Sequence, residues 1–308
     1  MTGIDPLRFV FATRRSQLAL AQSRKFGVEL TAAHPGLQLG ELHVVTTGDR
    51  IQDRPLTDIG GKGLFVKEIE EALIDGQADF AVHSIKDVPA ELARGLRIAC
   101  IPKRVDPRDV LVSRTGQSLA ELPAGTRIGT SSLRRAVHLR KVRPDLVIEP
   151  LRGNVDTRLR KVREGVVDAT ILAYAGLLRL GLEDVITEVL APELSLPAVG
   201  QGALGIECRD GDTRTLALLA VLHDADTAVA VAVERGVMIE VEGSCKIPIA
   251  SYAQRCPDGR MQVRSMLADE DGGRAAFVER TVAWPSSEPE GERLGRDLGR
   301  ELRALRGA

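Results

Sequence analysis

Aromatic side chains are scarce in this sequence and make up only 3% of its 308 residues. Trp284 is the only tryptophan, and Tyr174 and Tyr252 are the only tyrosines. Proteins that bind single-stranded nucleic acids usually stack bases on aromatic rings, so this shortage disfavours a nucleic-acid binder. Small ligands that carry carboxylates or phosphates are a better match for its basic segments.

Motifs for metals, disulfides and membranes are missing as well. The four cysteines form no C-x-x-C pair and no H-E-x-x-H motif occurs, so we expect no metal site and no disulfide framework. No apolar run is long enough to span a bilayer, and the first residues lack the layout of a signal peptide. These absences predict a cytoplasmic protein without a membrane partner.

The residues that are abundant predict a folded chain with a concentrated positive charge. Hydrophobic residues make up 44% and charged residues 28%, which is enough for two or three domains with their own cores. Residues 127–164 contain 11 Lys and Arg against 4 Asp and Glu, although the whole chain has a net charge of −1. This segment is therefore the first candidate for an anion-binding site.

Near the start of this basic segment, the sequence GTSSLRR (residues 129–135) predicts a strand end followed by a helix N-terminus. A strand is expected over residues 126–129, the three hydroxyl residues are typical helix caps, and Pro144 ends the helix. Arg134 and Arg135 then fall in the first helical turn, where the helix dipole disfavours cations. An anion bound between them explains their position. A solvent-exposed basic helix face is the alternative.

Two further strand-to-helix junctions repeat this arrangement. Arg152 lies within the junction at residues 151–154, and Arg158 follows the junction closely. Near the N-terminus, an apolar strand at residues 8–12 precedes the sequence TRRS (residues 13–16) and a helix. Repetition of arginine beside helix N-termini favours the anion-binding interpretation.

A second repeat predicts the fold class. A helix, a G-x-x-D sequence and a strand follow one another at residues 76–79 and again at residues 165–168. Two copies indicate two similar α/β lobes, and in such lobes ligands bind beyond the carboxyl ends of the strands. The residues expected to face one cleft at those ends are Arg14, Lys86, Asp87, Ser131 and Arg152.

Proline- and glycine-rich passages predict the domain boundaries. The first lobe is expected to comprise residues 1–102 and 199–222, and the second residues 103–198. Residues 223–308 are expected to form a small α+β domain, with a helix over 225–240, three strands and a closing amphipathic helix. A further glycine cluster, GGKG at residues 60–63, lacks the spacing of a phosphate-binding P-loop. It is either an anion-binding loop with Lys62 or a plain loop.

Eight segments along the chain resemble those of one family of enzymes. They are, in order, ATRRSQLAL, GGKGLFVKE, AVHSIKDVP, DPRD, GTSSLRR, LRGNVDTRL, LPAVGQGALGIECR and EGSCKIPIA. Together they resemble the porphobilinogen deaminases, also called hydroxymethylbilane synthases. The resemblance extends from about Arg8 to Ser251.

The resemblance implies a three-domain α/β enzyme whose first two domains are periplasmic-binding-protein-like lobes of type II. It implies a dipyrromethane cofactor held by a thioether bond to a cysteine of the third domain. Porphobilinogen would lose ammonia and be added to this primer four times, and hydrolysis would release the linear tetrapyrrole hydroxymethylbilane. A monomer without metal is the family expectation.

Matching residue by residue assigns roles to this chain. Cys245 would attach the cofactor and Asp87 would be the catalytic residue. Residues that would bind cofactor and substrate are Arg14, Ser16, Lys62, Lys86, Thr130, Ser132, Arg134, Arg135, Arg152, Arg158 and Arg179. Basic residues suit this task because every pyrrole ring brings two carboxylates, so the growing chain is a polyanion.

Several of these positions have alternative interpretations. Without the resemblance, Cys245 would more often be an inert buried thiol, although its loop and the adjacent lysine suit a thiolate nucleophile. The alternative roles of Asp87 are pairing with Lys86 or capping the turn before Pro89, and His83 is expected to be hydrogen-bonded within the structure. Cys100 and Cys208 lie in apolar strands and are expected to be structural.

Two other classes of protein share some of these features. A two-lobed binding module for small carboxylate-bearing ligands, without catalysis, would also need an anion-binding cleft. It would not explain the third domain. A nucleic-acid binder would explain the basic segment, but the low aromatic content disfavours it.

Overall fold

The computed structural model describes residues 7–50, 66–241, 247–269 and 272–307. The chain divides into two compact units, one made of Met1–Arg104 with Ala203–Thr227 and the other of Val105–Gly202 with Ala228–Ala308. The second α/β lobe and the C-terminal part therefore belong to one unit. The division into three domains, with its exact boundaries, and the shared cleft stay predictions.

A five-stranded sheet forms the centre of the first unit, in the order β2-β1-β3-β10-β4. Its strands are β1 (Arg8–Arg14), β2 (Gln38–Val44), β3 (Phe80–Ser84), β4 (Leu96–Cys100) and β10 (Leu204–Arg209). The first three are parallel, whereas β10 runs antiparallel to both of its neighbours. Helices α1 (Gln17–Ala33), α2 (Thr47–Arg50), α3 (Lys67–Ile74) and α7 (Thr213–Leu219) accompany it.

The second unit contains a sheet with the equivalent order, β7-β6-β8-β5-β9. Its strands are β5 (Asp109–Ser113), β6 (Arg127–Gly129), β7 (Val147–Glu149), β8 (Ala169–Ala173) and β9 (Glu188–Val189). Strand β5 is again antiparallel to both neighbours. Its helices are α4 (Leu133–Val142), α5 (Val155–Arg163) and α6 (Tyr174–Leu180). The predicted pair of similar α/β lobes is confirmed.

The G-x-x-D repeat has the same structural role in both sheets. The Val10 N–H donates to Asp79 Oδ2 at 2.7 Å, and the Asp79 N–H donates to the Val10 carbonyl oxygen at 2.8 Å. In the second sheet the Arg127 N–H donates to Asp168 Oδ2 at 3.0 Å, and the Asp168 N–H returns to the Arg127 carbonyl oxygen at 2.9 Å. Each aspartate thus directly precedes one strand and hydrogen-bonds the backbone of the neighbouring strand, ahead of the regular hydrogen bonds between the two strands.

Serine caps begin the helices that follow β1 in the first sheet and β6 in the second, as predicted. Ser16 Oγ accepts the Ala19 N–H before α1, and Ser132 Oγ accepts the Arg135 N–H before α4. Each cap satisfies one of the free N–H groups of the first turn. Neither helix has an acidic residue in that turn.

Some elements differ from the prediction. The apolar character of residues 42–46 predicts a strand there, whereas β2 begins four residues earlier, at Gln38. The sequence also predicts a strand over residues 169–172 followed by a loop, but α6 begins there at Tyr174. This expectation was wrong because the residue before the helix, Ala173, has no side-chain cap to mark a start.

The C-terminal part of the second unit is a three-stranded antiparallel sheet with two helices. The strands are β11 (Ile249–Arg255), β12 (Met261–Ala268) and β13 (Ala275–Val282), and the helices are α8 (Ala225–Glu240) and α9 (Glu288–Gly307). Glycines at every fourth position of α9 face α8, and a Cβ on Gly295 would overlap the Val233 carbonyl oxygen. The two helices therefore pack at backbone contact.

Among the described residues, no single helix has the length and apolar composition needed to cross a bilayer. One bent pair, Thr213–Leu222 with α8, meets that test jointly by length and composition alone.

Candidate active site

In the first unit, the predicted catalytic residue lies directly beyond the end of β3. Asp87 closes a short 3-10 helix, Ile85–Asp87, that is anchored by the buried Ile85 side chain. The Ile85 N–H donates to the carbonyl oxygen of Ala203 at 3.1 Å. Lys86 and Asp87 are exposed, and Asp87 forms no hydrogen bond or ion pair with another described residue. Among these residues nothing supports the alternative that Asp87 pairs with Lys86.

A layer of buried polar groups lies next to this turn. His83 is 6% exposed, and its Nε2 lies 2.9 Å from Oε2 of the buried Glu207 on β10. Burial raises the pKa of the nearby Glu70 carboxyl, and the charge of Glu207 adds to the effect. The prediction that His83 is hydrogen-bonded within the structure is confirmed. Sequence reasoning missed Glu207 as its partner.

Arg14 and Ser16 lie at the carboxyl end of β1. Arg14 is the last residue of the strand and is half-buried. Ser16 Oγ is 3.3 Å from the Ala19 nitrogen as the cap of α1, so its oxygen already accepts one hydrogen bond. Ser16 can still donate its hydroxyl proton to an anion.

In the second unit, Arg134 and Arg135 share one buried carboxylate. Arg134 Nη1 lies 2.8 Å from Asp109 Oδ2, and Arg135 Nη2 lies 2.7 Å from Asp109 Oδ1. Asp109 is fully buried and the arginines are 5% and 6% exposed. Burial opposes ionisation, but the two guanidinium charges lower the pKa of Asp109 far below its usual range. Both arginines are therefore in the first turn of α4, as predicted, and neither belongs to a solvent-exposed basic face.

Hydroxyl groups surround the start of α4. Thr130 Oγ1 accepts the Ser132 N–H at 3.2 Å, and Ser131 Oγ donates to the Leu151 carbonyl oxygen at 3.1 Å. A Cβ on Gly129 would lie 2.7 Å from Leu151 Cδ2, so glycine is needed where the two strand ends approach. The sequence GTSS thus shapes the connection between β6 and α4.

Arg152, Arg158 and Arg179 extend the positive region of the second unit. Burial, together with the charges of Arg135 and Arg152, lowers the pKa of Arg158 to about 10. Burial alone lowers the pKa of Arg179 to about 10, and its Nη2 donates to the Gly202 carbonyl oxygen at 2.7 Å. A ligand with several carboxylates would relieve this repulsion between guanidinium groups, so the residues present fit the dipyrromethane group.

Two of the predicted site residues, Lys62 and Cys245, lie outside the described residues. Cys100 and Cys208 are buried on neighbouring strands of the first sheet. Burial raises the pKa of the Cys100 thiol to about 12 and, with the charge of Asp212, that of Cys208 to about 11. Both remain protonated and unreactive at neutral pH, in agreement with their predicted structural role.

Asp109 is the most important residue near the site to which sequence reasoning gave no role. Its segment, DPRD (residues 106–109), was among those that carried the family resemblance, but nothing in the sequence pairs it with Arg134 and Arg135. The antiparallel position of β5 beside β8 places the first residue of β5 opposite Ala173. A correct topology for the second sheet would have been needed to find it.

Comparison with protein families gives two matches along the chain. Residues 9–217 match the family model described as "Porphobilinogen deaminase, dipyromethane cofactor binding domain". Residues 228–304 match the model described as "Porphobilinogen deaminase, C-terminal domain". Together they include nearly all of the chain.

Curated proteins with similar sequences agree with these matches. A protein named porphobilinogen deaminase from Sorangium cellulosum is 63% identical over 298 residues, which covers 97% of this chain and 99% of the relative. One of the same name from Syntrophotalea carbinolica is 52% identical over 278 residues, covering 90% and 87%.

Solved structures with a similar backbone have much lower sequence identity. A probable amino-acid ABC transporter extracellular-binding protein from Bacillus subtilis has a TM-score of 0.42 and 10% identity, covering 71% of this chain and 90% of its own. The VFT2 domain of BvgS from Bordetella pertussis has a TM-score of 0.40 and 15% identity, covering 69% and 84%.

Proposed function

The chain belongs to the porphobilinogen deaminase family, and we propose that its described arginines and Asp87 divide the work of that enzyme between binding and proton transfer. As a member, it is a transferase of tetrapyrrole biosynthesis with a dipyrromethane cofactor. It deaminates porphobilinogen, joins four molecules head to tail and releases hydroxymethylbilane by hydrolysis.

Binding of the carboxylates is the proposed role of the arginine-rich junctions. The observation that carries this proposal is the nearness of Arg135 and Arg152 to the half-buried Arg158, whose pKa is lowered by burial and by these two charges. The single carboxylate of Asp109 faces both Arg134 and Arg135, so the region keeps a net positive charge to which an anionic ligand can bind. The full proposed binding set is Arg14, Ser16, Lys62, Lys86, Thr130, Ser132, Arg134, Arg135, Arg152, Arg158 and Arg179.

Attachment of the cofactor is the proposed role of Cys245, through a thioether. When bound, the cofactor supplies a pyrrole carbon that acts as the nucleophile toward the substrate. Cys100 and Cys208 support this assignment by elimination, because burial raises the pKa of both thiols. The remaining cysteine, Cys256, is half-buried beside a turn and has no matched role.

Proton transfer is the proposed role of Asp87. Loss of ammonia requires a group that protonates the leaving amine and then faces the positive charge left on the pyrrole. An aspartic acid side chain can do both, because it gives its proton to the amine in the acid form and is then left as a carboxylate beside the positive charge; arginine side chains stay protonated. Asp87 is exposed and is not held by another described side chain, so its carboxylate is available for both steps.

A cytoplasmic monomer without a nucleic-acid or membrane partner is the proposed state of the enzyme. The low aromatic content and the near-neutral net charge of −1 support this proposal.

The test of this function uses Asp87→Asn, with Asp75→Asn as a matched control. Asp75 is an exposed aspartate of the same unit that follows α3. Loaded from preformed tetrapyrrole, with loss of water, wild type and both variants should first show a mass excess of four deaminated porphobilinogen units. Added porphobilinogen should return wild type and Asp75→Asn to a mass excess of two units by release of hydroxymethylbilane. Turnover of Asp87→Asn should fall at least about a hundredfold, because a general acid–base group is lost.

Two outcomes would contradict the proposal. Turnover of Asp87→Asn close to that of Asp75→Asn would move the acid elsewhere. Wild-type protein without the mass excess would contradict the covalent cofactor and, with it, the proposed role of Cys245.

A further inference from the structure

Asp109, the first residue of β5, accepts hydrogen bonds from four side chains. Besides its contacts to Arg134 and Arg135, its Oδ2 accepts from Ser195 Oγ at 2.7 Å and its Oδ1 accepts from Gln201 Nε2 at 2.9 Å. All five side chains are at most 6% exposed. A buried carboxylate with this many donors stays ionised and holds each donor in a defined direction.

The two guanidinium groups are fixed by further contacts. Arg135 donates through Nε to Asp109 at 3.2 Å and through Nη1 to the Ile171 carbonyl oxygen at 2.9 Å. Arg134 Nη1 also donates to the Leu196 carbonyl oxygen. An exposed arginine samples many rotamers, but these two side chains have little freedom left.

We propose that Asp109 is a positioning residue, which orients Arg134 and Arg135 for the carboxylates of the cofactor and the growing pyrrole chain. One carboxylate cannot neutralise two guanidinium groups, so the pair keeps a positive charge beside Arg152 and Arg158. Asp109 thereby fixes the directions of the donors while leaving the region cationic. This inference rests on the proposed function of Arg134 and Arg135 as carboxylate binders.

The contacts of Asp109 continue toward the helix that precedes Cys245 in the sequence. Gln201 also donates to the Pro107 carbonyl oxygen at 2.7 Å. The neighbouring Gly200 N–H donates at 2.7 Å to Oε2 of Glu234, a fully buried residue of α8. Oε1 of Glu234 accepts the Ala253 N–H of β11 at 2.9 Å. Buried polar contacts therefore connect the arginine pair with the C-terminal part of the same unit.

A purely structural role is the alternative. Two buried arginines without a counter-ion would destabilise the fold, so Asp109 could serve stability alone. The two roles differ in what they predict for protein that remains folded. A structural role lowers the melting temperature and leaves loading and turnover unchanged below it, whereas a positioning role slows both in folded protein.

The experiment compares Asp109→Asn with Asp145→Asn. Asp145 is also paired with an arginine through both oxygens, but it lies beyond the other end of α4 and is partly exposed. Apo-protein is mixed with preformed tetrapyrrole, and the rate of mass gain by four pyrrole units, attached with loss of water, is followed by mass spectrometry. Below its melting temperature, Asp109→Asn should load at least about tenfold more slowly and, per loaded molecule, turn over at least about tenfold more slowly. Asp145→Asn should match wild type.

Ser195→Ala covers the case in which Asp109→Asn does not fold. It removes one neutral donor to Asp109 and leaves every charge in place, so we expect a modestly lowered melting temperature and, below it, about threefold slower loading. Wild-type loading and turnover in folded Asp109→Asn would overturn the inference. If that variant does not fold, wild-type loading by Ser195→Ala would overturn it.

Arg134→Leu and Arg135→Leu separate this inference from the proposed function. If both leucine variants load at the wild-type rate, the proposed carboxylate binding fails and the inference fails with it. If they do not load while Asp109→Asn loads normally, only the positioning role of Asp109 is overturned.

Discussion

The two sheets of this protein have the same strand order, but the aspartates at their equivalent ends differ in burial and in their partners. Beyond β3, the first sheet presents Asp87, an exposed carboxylate that is not held by another described residue. Beside β8, the second sheet has Asp109, a carboxylate buried under two arginines. Strand topology fixes where each carboxylate lies, and burial and neighbours separate the roles that we propose for them, proton transfer for Asp87 and orientation of cations for Asp109.

The two units also differ in whether a buried histidine has a hydrogen-bond partner. His83 in the first unit is hydrogen-bonded to Glu207, whereas Nε2 of His138 in α4 has no hydrogen-bond partner within the described residues. Burial, and secondarily the charge of Arg134, lowers the pKa of His138 to about 4. His138 packs edge-on against the Phe277 ring, with 6.0 Å between ring centroids.

The largest effect on stability that we predict concerns the pH dependence of His138. Between pH 6.5 and about pH 4, the unfolded chain binds a proton there that the folded chain does not, so acid lowers the free energy of unfolding. The loss should reach at most about 3 kcal/mol. His138→Gln should remove this pH dependence in urea unfolding, and His43→Gln, at an exposed site, should retain it. An unchanged dependence in His138→Gln would place the titrating group elsewhere.

A second prediction tests the equivalence of the sheets through the G-x-x-D aspartates. Asp79→Ala and Asp168→Ala each leave a strand N–H without its acceptor, which should cost about 1–3 kcal/mol of unfolding free energy. The loss should be larger for Asp168, because Arg127 also binds both of its oxygens. Denaturant unfolding measures both values.

Asparagine at the same positions is the control, since it keeps an acceptor oxygen for the N–H. Asp79→Asn should recover most of the stability lost in Asp79→Ala. Equal losses for the two substitutions would mean that charge, and not the acceptor, joins the strands.

The smallest predicted effect concerns the glycines that end α3 and α5. Gly76 and Gly165 have φ values of 71° and 73°, and no neighbouring atom would meet an added Cβ at either position. Alanine should therefore destabilise each unit by the conformational term alone, about 1 kcal/mol. Gly211→Ala, in open space without a positive φ, is the control and should cost less. Unequal losses at Gly76 and Gly165 would break the equivalence of the two lobes.

Local signals in the sequence were sufficient for the repeated elements. Ser16 and Ser132 precede amphipathic helices and cap them, and the two G-x-x-D sequences end helices and begin strands. The serine caps join residues three positions apart, and the aspartates recur at the same place in a repeated pattern, although their partners lie 69 and 41 positions away. The family resemblance contributed the residue assignments, of which Lys62 and Cys245 lie outside the described residues.

The arrangement around Asp109 could not be predicted in the same way. It brings together residues separated in sequence by up to 92 positions, as for Gln201 and Asp109. No periodicity encodes such a contact, because it depends on β5 entering the sheet antiparallel beside β8. A buried ion cluster also leaves no trace in composition: its arginines looked the same in the sequence as exposed ones.

The position of β10 has a consequence for the order in which the protein forms during translation. This strand lies between β3 and β4 in the first sheet, yet it is synthesised after the last strand of the second sheet, β9. The second sheet has all of its strands once Val189 has left the ribosome, whereas the first must wait until Arg209 has emerged. The N-terminal strands therefore spend the synthesis of more than a hundred residues, roughly 5–20 s at usual elongation rates, without the strand that joins β3 to β4. Nascent chains of this enzyme would close the later-encoded lobe first.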